Sequence, residues 1–287
     1  MLNQKTIAQA FHDLRNVLEQ LYDKQEATAI AHEYLESLTG MNKTERLLNK
    51  DKLLDENVHA RFQKATERFI AGEPLQYITG YQWFGGEQFL VNNNVLIPRP
   101  ETEELVQWIV EEQQNKPALS IIDIGTGSGC IPISLKKKLP HSVVLSCDIS
   151  IDAIHLAQQN AQKMNTPIQF IHLDFLEKNN WNNLPKTDVI VSNPPYIPIS
   201  EKDALDKNVR EFEPPTALFV NDNDRFIFYR NLALFSLEKL LPLGAIYCEI
   251  HSAYGAETME VFAREGYSKI ELRKDLYGND RMLKVER

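Results

Sequence analysis

Asp123-Ile124-Gly125-Thr126-Gly127-Ser128-Gly129 follows a short apolar run, Leu119 to Ile124, and leads into Ser128 to Leu139. The run reads as a buried strand and the segment after it as a helix. Glycines at such a junction allow a tight turn and let a ligand come close to the backbone. The spacing is G-x-G-x-G and residue 130 is Cys, so the G-x-G-x-x-G fingerprint of dinucleotide folds is absent. No Lys stands at the Walker position either, which removes a P-loop. A loop without the phosphate-gripping pattern, preceded by Asp123, suits a ligand that has no pyrophosphate. S-adenosylmethionine is such a ligand, with a zwitterionic amino-acid end and a cationic sulfur. A carboxylate near the loop and the backbone amides of Gly125, Thr126, Gly127, Ser128 and Gly129 match those charges.

Outward from this loop, helices and strands alternate. Val143 to Cys147, Ile168 to Leu173, Asp188 to Ser192 and Ala245 to Ile250 read as strands. Ile151 to Met164, Arg225 to Leu241 and Tyr254 to Glu265 read as helices, and the tail offers two short strands. Such alternation means a parallel sheet covered on both faces, an α/β fold of Rossmann-like type. Upstream the pattern is different. Ile7, Phe11, Leu14, Val17, Leu18 and Leu21 fall on one helical stripe. Ala27, Ile30, Ala31, Tyr34, Leu35 and Leu38 form a second, with Gly40 where a cap belongs. Val58, Phe62, Ala65, Phe69 and Ile70 form a third. Tyr77, Tyr81, Trp83, Phe84 and Phe89, broken by Gly85-Gly86 and Asn92-Asn93-Asn94, carry a hairpin signature. The expected organisation is a helical bundle over 1–75, a β-hairpin connector over 76–97 and a catalytic α/β domain over 98–287.

Asp148 ends the second strand, 23 positions after Gly125. An acid there can accept both hydroxyls of a ribose; the plainer alternative is an N-cap for the helix that starts near Ser150. After the third strand, Phe175 can stack on an adenine ring and Asp174 can take its exocyclic amine. The fourth strand runs straight into Asn193-Pro194-Pro195-Tyr196. Two consecutive prolines lock φ and remove two N–H donors, so this turn is rigid at the carboxyl end of the sheet. The Asn193 side-chain oxygen and the Pro194 carbonyl can together hold both hydrogens of one NH2 group. That aims the nitrogen lone pair at a methyl group, and Tyr196 can pack its ring against the acceptor. The residues thus point to an N-methyltransferase. They leave the acceptor open between an amide and the exocyclic amine of a base.

The formal net charge is −9 and the sequence pI about 5.4, which does not favour a phosphate backbone as partner. Lys136-Lys137-Lys138 reads as the solvated end of a helix. An N-methyltransferase acting on a flipped adenine would want a basic, aromatic recognition domain. The N-terminal third instead interleaves Asp and Glu with its Lys and Arg. A non-catalytic nucleotide-binding regulator would have no reason to keep the Asn-Pro-Pro-Tyr turn. Cys130, Cys147 and Cys248 lie far apart in apolar runs and read as reduced thiols. The seven histidines, from His12 to His251, show no metal spacing. The opening MLNQKTIAQAFHDL lacks a signal-type apolar run, and no stretch approaches the ~20 apolar residues of a membrane span. These features give the expectation of a cytoplasmic protein with no metal and no membrane association.

Taken together, Leu96-Ile97-Pro98-Arg99-Pro100-Glu101-Thr102-Glu103, the loop Asp123 to Gly129, Asp148, Asn193-Pro194-Pro195-Tyr196-Ile197, Glu213-Pro214 with Ala217-Leu218, and Tyr277-Gly278-Asn279-Asp280-Arg281 resemble the peptide chain release factor N5-glutamine methyltransferases, the PrmC/HemK family. The resemblance spans most of the chain. It implies methylation of the side-chain amide of the glutamine in the Gly-Gly-Gln tripeptide of release factors, with no stable nucleic-acid binding. It also implies donor contacts from Gly125 to Gly129, Asp148, Phe175 and Asn193, and glutamine contacts from Asn193, Pro194, Pro195 and Tyr196. Phe175 stands where relatives often carry Trp. His251-Ser252-Ala253-Tyr254 stands where they usually carry a glycine, and no role is assigned to it. Arg99 and Glu101 to Glu103 read equally as a turn and an acidic helix start or as ligand-facing groups. Oligomeric state is not legible.

Overall fold

A computed structural model describes residues 4–116 and 118–287 and divides into two units. The first takes in the chain up to Tyr81 together with Asp206–Phe212; the second takes in Gln82–Leu205 and Glu213–Arg287.

The first unit is helical: α1 (Ile7–Leu18), α2 (Lys24–Thr39), α3 (Lys43–Leu48), α4 (Glu56–Ala71) and α5 (Leu75–Thr79). Side-chain oxygens of Thr6, Asp23, Asn42 and Asp55 accept the first free amides of α1 to α4. Gly40 and Gly72 end α2 and α4 in the left-handed region. Helices this short stand only by packing, and Leu14, Leu35, Phe62 and Phe69 supply a shared core. The expected stripes are trimmed at their ends. Leu21 lies beyond α1 and is exposed, and Ile70, one position past Phe69, turns off the buried face where His59 sits. Two short helices, α3 and α5, interrupt stretches where the sequence shows no long periodicity, and α5 occupies the start of the region read as a hairpin.

Next come β1 (Tyr81–Phe84) and β2 (Glu87–Leu90), which pair as a two-stranded sheet, with Gly85 and Gly86 turning at positive φ. The chain continues through α6 (Pro100–Gln113), β3 (Ser120–Ile124), α7 (Cys130–Lys138), β4 (Val143–Asp148), α8 (Ile151–Lys163), β5 (Gln169–His172) and β6 (Thr187–Ser192). Then follow β7 (Ile197–Pro198), α9 (Lys207–Phe212, counted with the helical unit), α10 (Pro215–Leu218), β8 (Phe219–Val220), α11 (Ile227–Lys239), β9 (Leu240–Glu249), α12 (Gly255–Arg264), β10 (Lys269–Lys274) and β11 (Asp280–Glu286).

Seven strands form one sheet in the order β10-β11-β9-β6-β3-β4-β5. The strands from β9 to β5 are parallel, and β10 and β11 add an antiparallel edge. Successive strand residues face opposite sides. Ile122, Ile124, Ile190 and Ile246 join one core, whereas Ile121, Val189, Val191 and Ala245 join the other. The chain enters the sheet at β3, winds outward to β5, and returns to β6 on the far side of β3. The crevice beyond the carboxyl ends of β3 and β6 is therefore the topological switch point, the usual ligand site of open α/β sheets. Ile124 and Ser192 are register partners, so the glycine loop and Asn193 leave neighbouring strand ends. Among the described residues no helix is long and apolar enough to cross a membrane.

Candidate active site

A cavity of about 430 Å³ opens at that switch point. The loop on its wall is held from behind. Gly125 and Thr126 donate their amides to the Cys147 carbonyl at 2.9 and 3.0 Å, and Asn160 of α8 donates to the Ser128 carbonyl at 2.9 Å. Gly125, Gly127 and Gly129 all have positive φ, but they do different work. A Cβ on Gly125 or Gly127 would meet nothing within 4 Å, and both line the cavity. A Cβ on Gly129 would sit 3.0 Å from Ile133 and 3.1 Å from Ala157. Gly129 is not a lining residue; it lets α7 approach α8. The cavity-facing part of the loop is thus Gly125 to Ser128.

The hydroxyls of Thr126 and Ser128 are buried, line this cavity and have no hydrogen-bond partner among the described residues. Buried polar groups left unpaired are costly. Two of them on an open glycine turn fit a ligand with a charged, multiply hydrogen-bonding end, such as an amino acid. Asp123 lies behind them, fully buried, with one oxygen accepting from Ser146 at 2.6 Å and the other unpartnered. Burial pushes its carboxyl up to about 7, against the Ser146 hydroxyl, which pulls the other way. In the unfolded chain it titrates near ~3.9. A raised folded value means that its contribution to stability is fully present below about pH 4 and is lost as pH rises to about 7. Asp123→Asn should therefore gain stability relative to the parent over that window, by on the order of a few kcal/mol. Urea midpoints measured from pH 4 to 8 check this; parallel pH profiles for the two proteins would refute it.

Asp148 closes β4 and lines the cavity. One of its oxygens accepts the Gly127 amide at 2.9 Å and the other the Ser150 amide at 2.8 Å. The cap of α8 is Ser150, whose hydroxyl accepts from Ala153 at 3.2 Å. Asp148 is therefore not needed as the cap. Ile149, the next residue, lines the cavity with 57% of its surface exposed. Phe175 lines it as well but is 5% exposed, with its ring packed among Trp181 and Phe235. Phe175 thus offers a small patch, and Ile149 offers the larger free apolar face. Asp174 also lines the cavity, and one of its oxygens accepts the Leu176 amide.

Asn193, Pro194 and Pro195 line the same cavity. The Asn193 Nδ2 donates to the Thr102 hydroxyl at 3.1 Å, which leaves Oδ1 without a protein donor among the described residues. Thr102 in turn donates to Glu249 at 2.6 Å, and the Tyr196 hydroxyl donates to the other Glu249 oxygen at 3.0 Å. Tyr196 is not a lining residue. Its ring meets His251 edge-on and packs against the sheet core. Arg99 lines the cavity while its guanidinium pairs with buried Glu213, which also accepts the Ile97 amide at 3.2 Å. Glu249 and Asn160 carried no signal of their own in the sequence, and Glu213 entered only through the resemblance; each is identified by partners distant along the chain, and Ile149 by its exposure.

The Methyltransferase small domain family matches residues 102–211, and the PrmC N-terminal domain family matches residues 9–80. The chain is 41% identical to the release factor glutamine methyltransferase of Flavobacterium psychrophilum, over 93% of this chain and 94% of that protein. It is 38% identical to the enzyme of the same name from Bacteroides thetaiotaomicron, over 96% of this chain and 98% of that protein. Among solved structures, the hMettl16 catalytic domain is similar with a TM-score of 0.53 at 17% identity, covering 80% of this chain and 81% of that one. That last likeness is one of fold: a Rossmann-like methyltransferase sheet.

Proposed function

This chain belongs to the release factor glutamine methyltransferase family, and from that premise we propose that it transfers a methyl group from S-adenosylmethionine to the side-chain amide nitrogen of the Gly-Gly-Gln glutamine of peptide chain release factors. One observation carries the assignment to an NH2-bearing acceptor. The Asn193 amide is turned so that its NH2 is tied to Thr102 and its oxygen is free, beside the Pro194 carbonyl, in a cavity shared with the glycine loop. Two acceptors on a proline-locked turn suit the two hydrogens of one nitrogen.

Gly125, Thr126, Gly127 and Ser128 would hold the amino-acid end of the donor, and Asp148 the ribose hydroxyls. Ile149 and the exposed edge of Phe175 would cover the adenine. The donor supplies a methyl group already activated on a sulfonium. What the protein adds is placement: Asn193 and Pro194 hold the acceptor nitrogen by its hydrogens, aim its lone pair and reduce its delocalisation into the amide. Orientation of this kind can be worth roughly 7–11 kcal/mol. The acidic balance of the chain supports a protein acceptor over a nucleic acid. Three buried free thiols support work in the reducing cytoplasm.

The test offers labelled methyl donor to purified release factor, to its Gln→Ala variant at the Gly-Gly-Gln motif, and to DNA and ribosomal RNA. Label on the release factor that disappears with the glutamine is the expected result. Label on nucleic acid alone would overturn the reading.

A further inference from the structure

We propose that Glu249, acting through the Thr102 hydroxyl, sets which way the Asn193 amide faces, and that both are positioning residues for methyl transfer. The inference rests on the reading of Asn193 as the group that holds the acceptor nitrogen.

Glu249 is the last residue of β9 and is 1% exposed. Its neighbour in sequence, Cys248, is the register partner of Ser192, so Glu249 and Asn193 stand level at adjacent strand ends. Thr102, 2% exposed, sits in the first turn of α6 between them. With Glu249 ionised, the proton count in this chain admits one arrangement. The two Glu249 oxygens receive hydroxyl protons from Thr102 and Tyr196, which is the bonding of an ionised carboxylate. A threonine hydroxyl has a single proton. With that proton committed to Glu249, Thr102 can only accept from Asn193, and only the NH2 side of the amide can face it. The Asn193 oxygen is then directed away from Thr102. In the opposite flip, Thr102 Oγ1 would face two acceptors with one proton, and the Asn193 NH2 would confront the NH2 of the substrate.

A buried carboxylate is an expensive way to join β6, β9 and α6, because apolar side chains of similar volume would join them at no desolvation cost. What the carboxylate adds is polarity: it dictates the direction of each hydrogen bond after it. Burial pushes the Glu249 carboxyl up, and the hydroxyls of Thr102 and Tyr196 and the positive field of Arg281 work against that rise.

The test compares the full-length protein with Thr102→Val, Thr102→Ser and Glu249→Met. Thr102→Val should lower kcat on release factor by about 10-fold, with donor Kd changed less than about threefold and Thr102→Ser restoring most of the rate. Glu249→Met, which frees the Thr102 proton, should cost a similar factor. The decisive step is the cycle with Asn193→Ala. If Thr102 works through Asn193, adding Thr102→Val to Asn193→Ala costs less than about twofold more. An equal loss in both backgrounds would mean a merely structural role and would overturn the proposal.

A second measurement needs no acceptor. In protein labelled with 15N only at asparagine, the side-chain amide signal that vanishes in Asn193→Ala should move, and exchange faster, in Thr102→Val. A signal that stays in place overturns the relay even where release factor is methylated normally. A moved signal without methylation of release factor supports the relay and removes the substrate reading instead.

Discussion

Asn193→Ala is expected to leave methyl-donor binding within several-fold of the parent while turnover falls by about 10²–10³. The substitution takes away one acceptor and little else. The strand that delivers residue 193 is unchanged, and Pro194 and Pro195 still fix the turn, so Pro194 stays in the cavity wall. Thr102 keeps its bond to Glu249 and loses only an incoming hydrogen bond. Asn193 is partly exposed, so the cost to folding is small. An ordinary neutral hydrogen bond is worth about 1 kcal/mol, or roughly fivefold. A preorganised group facing the reacting atoms is worth more, about 2.7–4 kcal/mol, because no reorganisation is needed at the moment of reaction. The larger figure applies here because the Asn193 amide is held in one orientation before any substrate arrives. Single-turnover methyl transfer gives the rate and calorimetry with the donor gives the affinity. Turnover near the parent value would sink the role of Asn193. A loss confined to donor affinity would move Asn193 from the acceptor to the donor.

The parts of this site that were legible in sequence are those whose chemistry is local. The glycine loop is contiguous, and its alternation of strand and helix is a short-range pattern, so the position of the loop at a strand end followed directly. The two prolines after Asn193 announce a rigid turn without reference to any other segment. Glu249 could not be found this way. It lies in an otherwise apolar strand, Ala245 to Ile250, and its partners Thr102 and Tyr196 come from two other segments that meet it at the carboxyl end of the sheet. Asn160 is equally silent, since its bonds run to Leu90 and Ser128. Tyr196 and Gly129 show the opposite difficulty. Both belong to motifs that mark the site, yet one anchors Glu249 and the other admits close packing of α7 and α8, which motif membership alone does not reveal. Ile149 left a faint trace, an isoleucine just past a polar strand end, where only the solvent exposure of the folded chain separates a ligand face from a core residue. Residues 197–226 were the least legible stretch. Their strands β7 and β8 are two residues long, too short for any periodicity, although Phe219 and Asn221 complete the cavity wall.

Asp148→Asn should weaken donor binding by about 10–100-fold and leave turnover at saturating donor near that of the parent. A carboxylate oxygen that accepts from backbone amides and from a bound hydroxyl makes charge-assisted bonds, each worth about 1.5–3 kcal/mol. Both Asp148 oxygens already hold a backbone amide, Gly127 on one and Ser150 on the other. An asparagine has one acceptor, so whichever way it turns, its NH2 must confront one of those N–H groups. If it turns against Gly127, the glycine loop loses its tie to β4 at the point where the amino-acid end of the donor would lie. If it turns against Ser150, the oxygen left over serves Gly127 and a single ribose hydroxyl. Either outcome removes a donor contact, and neither touches Asn193 or Pro194, which is why the effect should fall on affinity and not on the chemical step. Because the Ser150 hydroxyl caps α8 and asparagine caps a helix as well as aspartate does, a loss of donor affinity in the variant does not come from uncapping the helix. Calorimetric titration with the donor decides the matter: unchanged affinity would strip Asp148 of the ribose role.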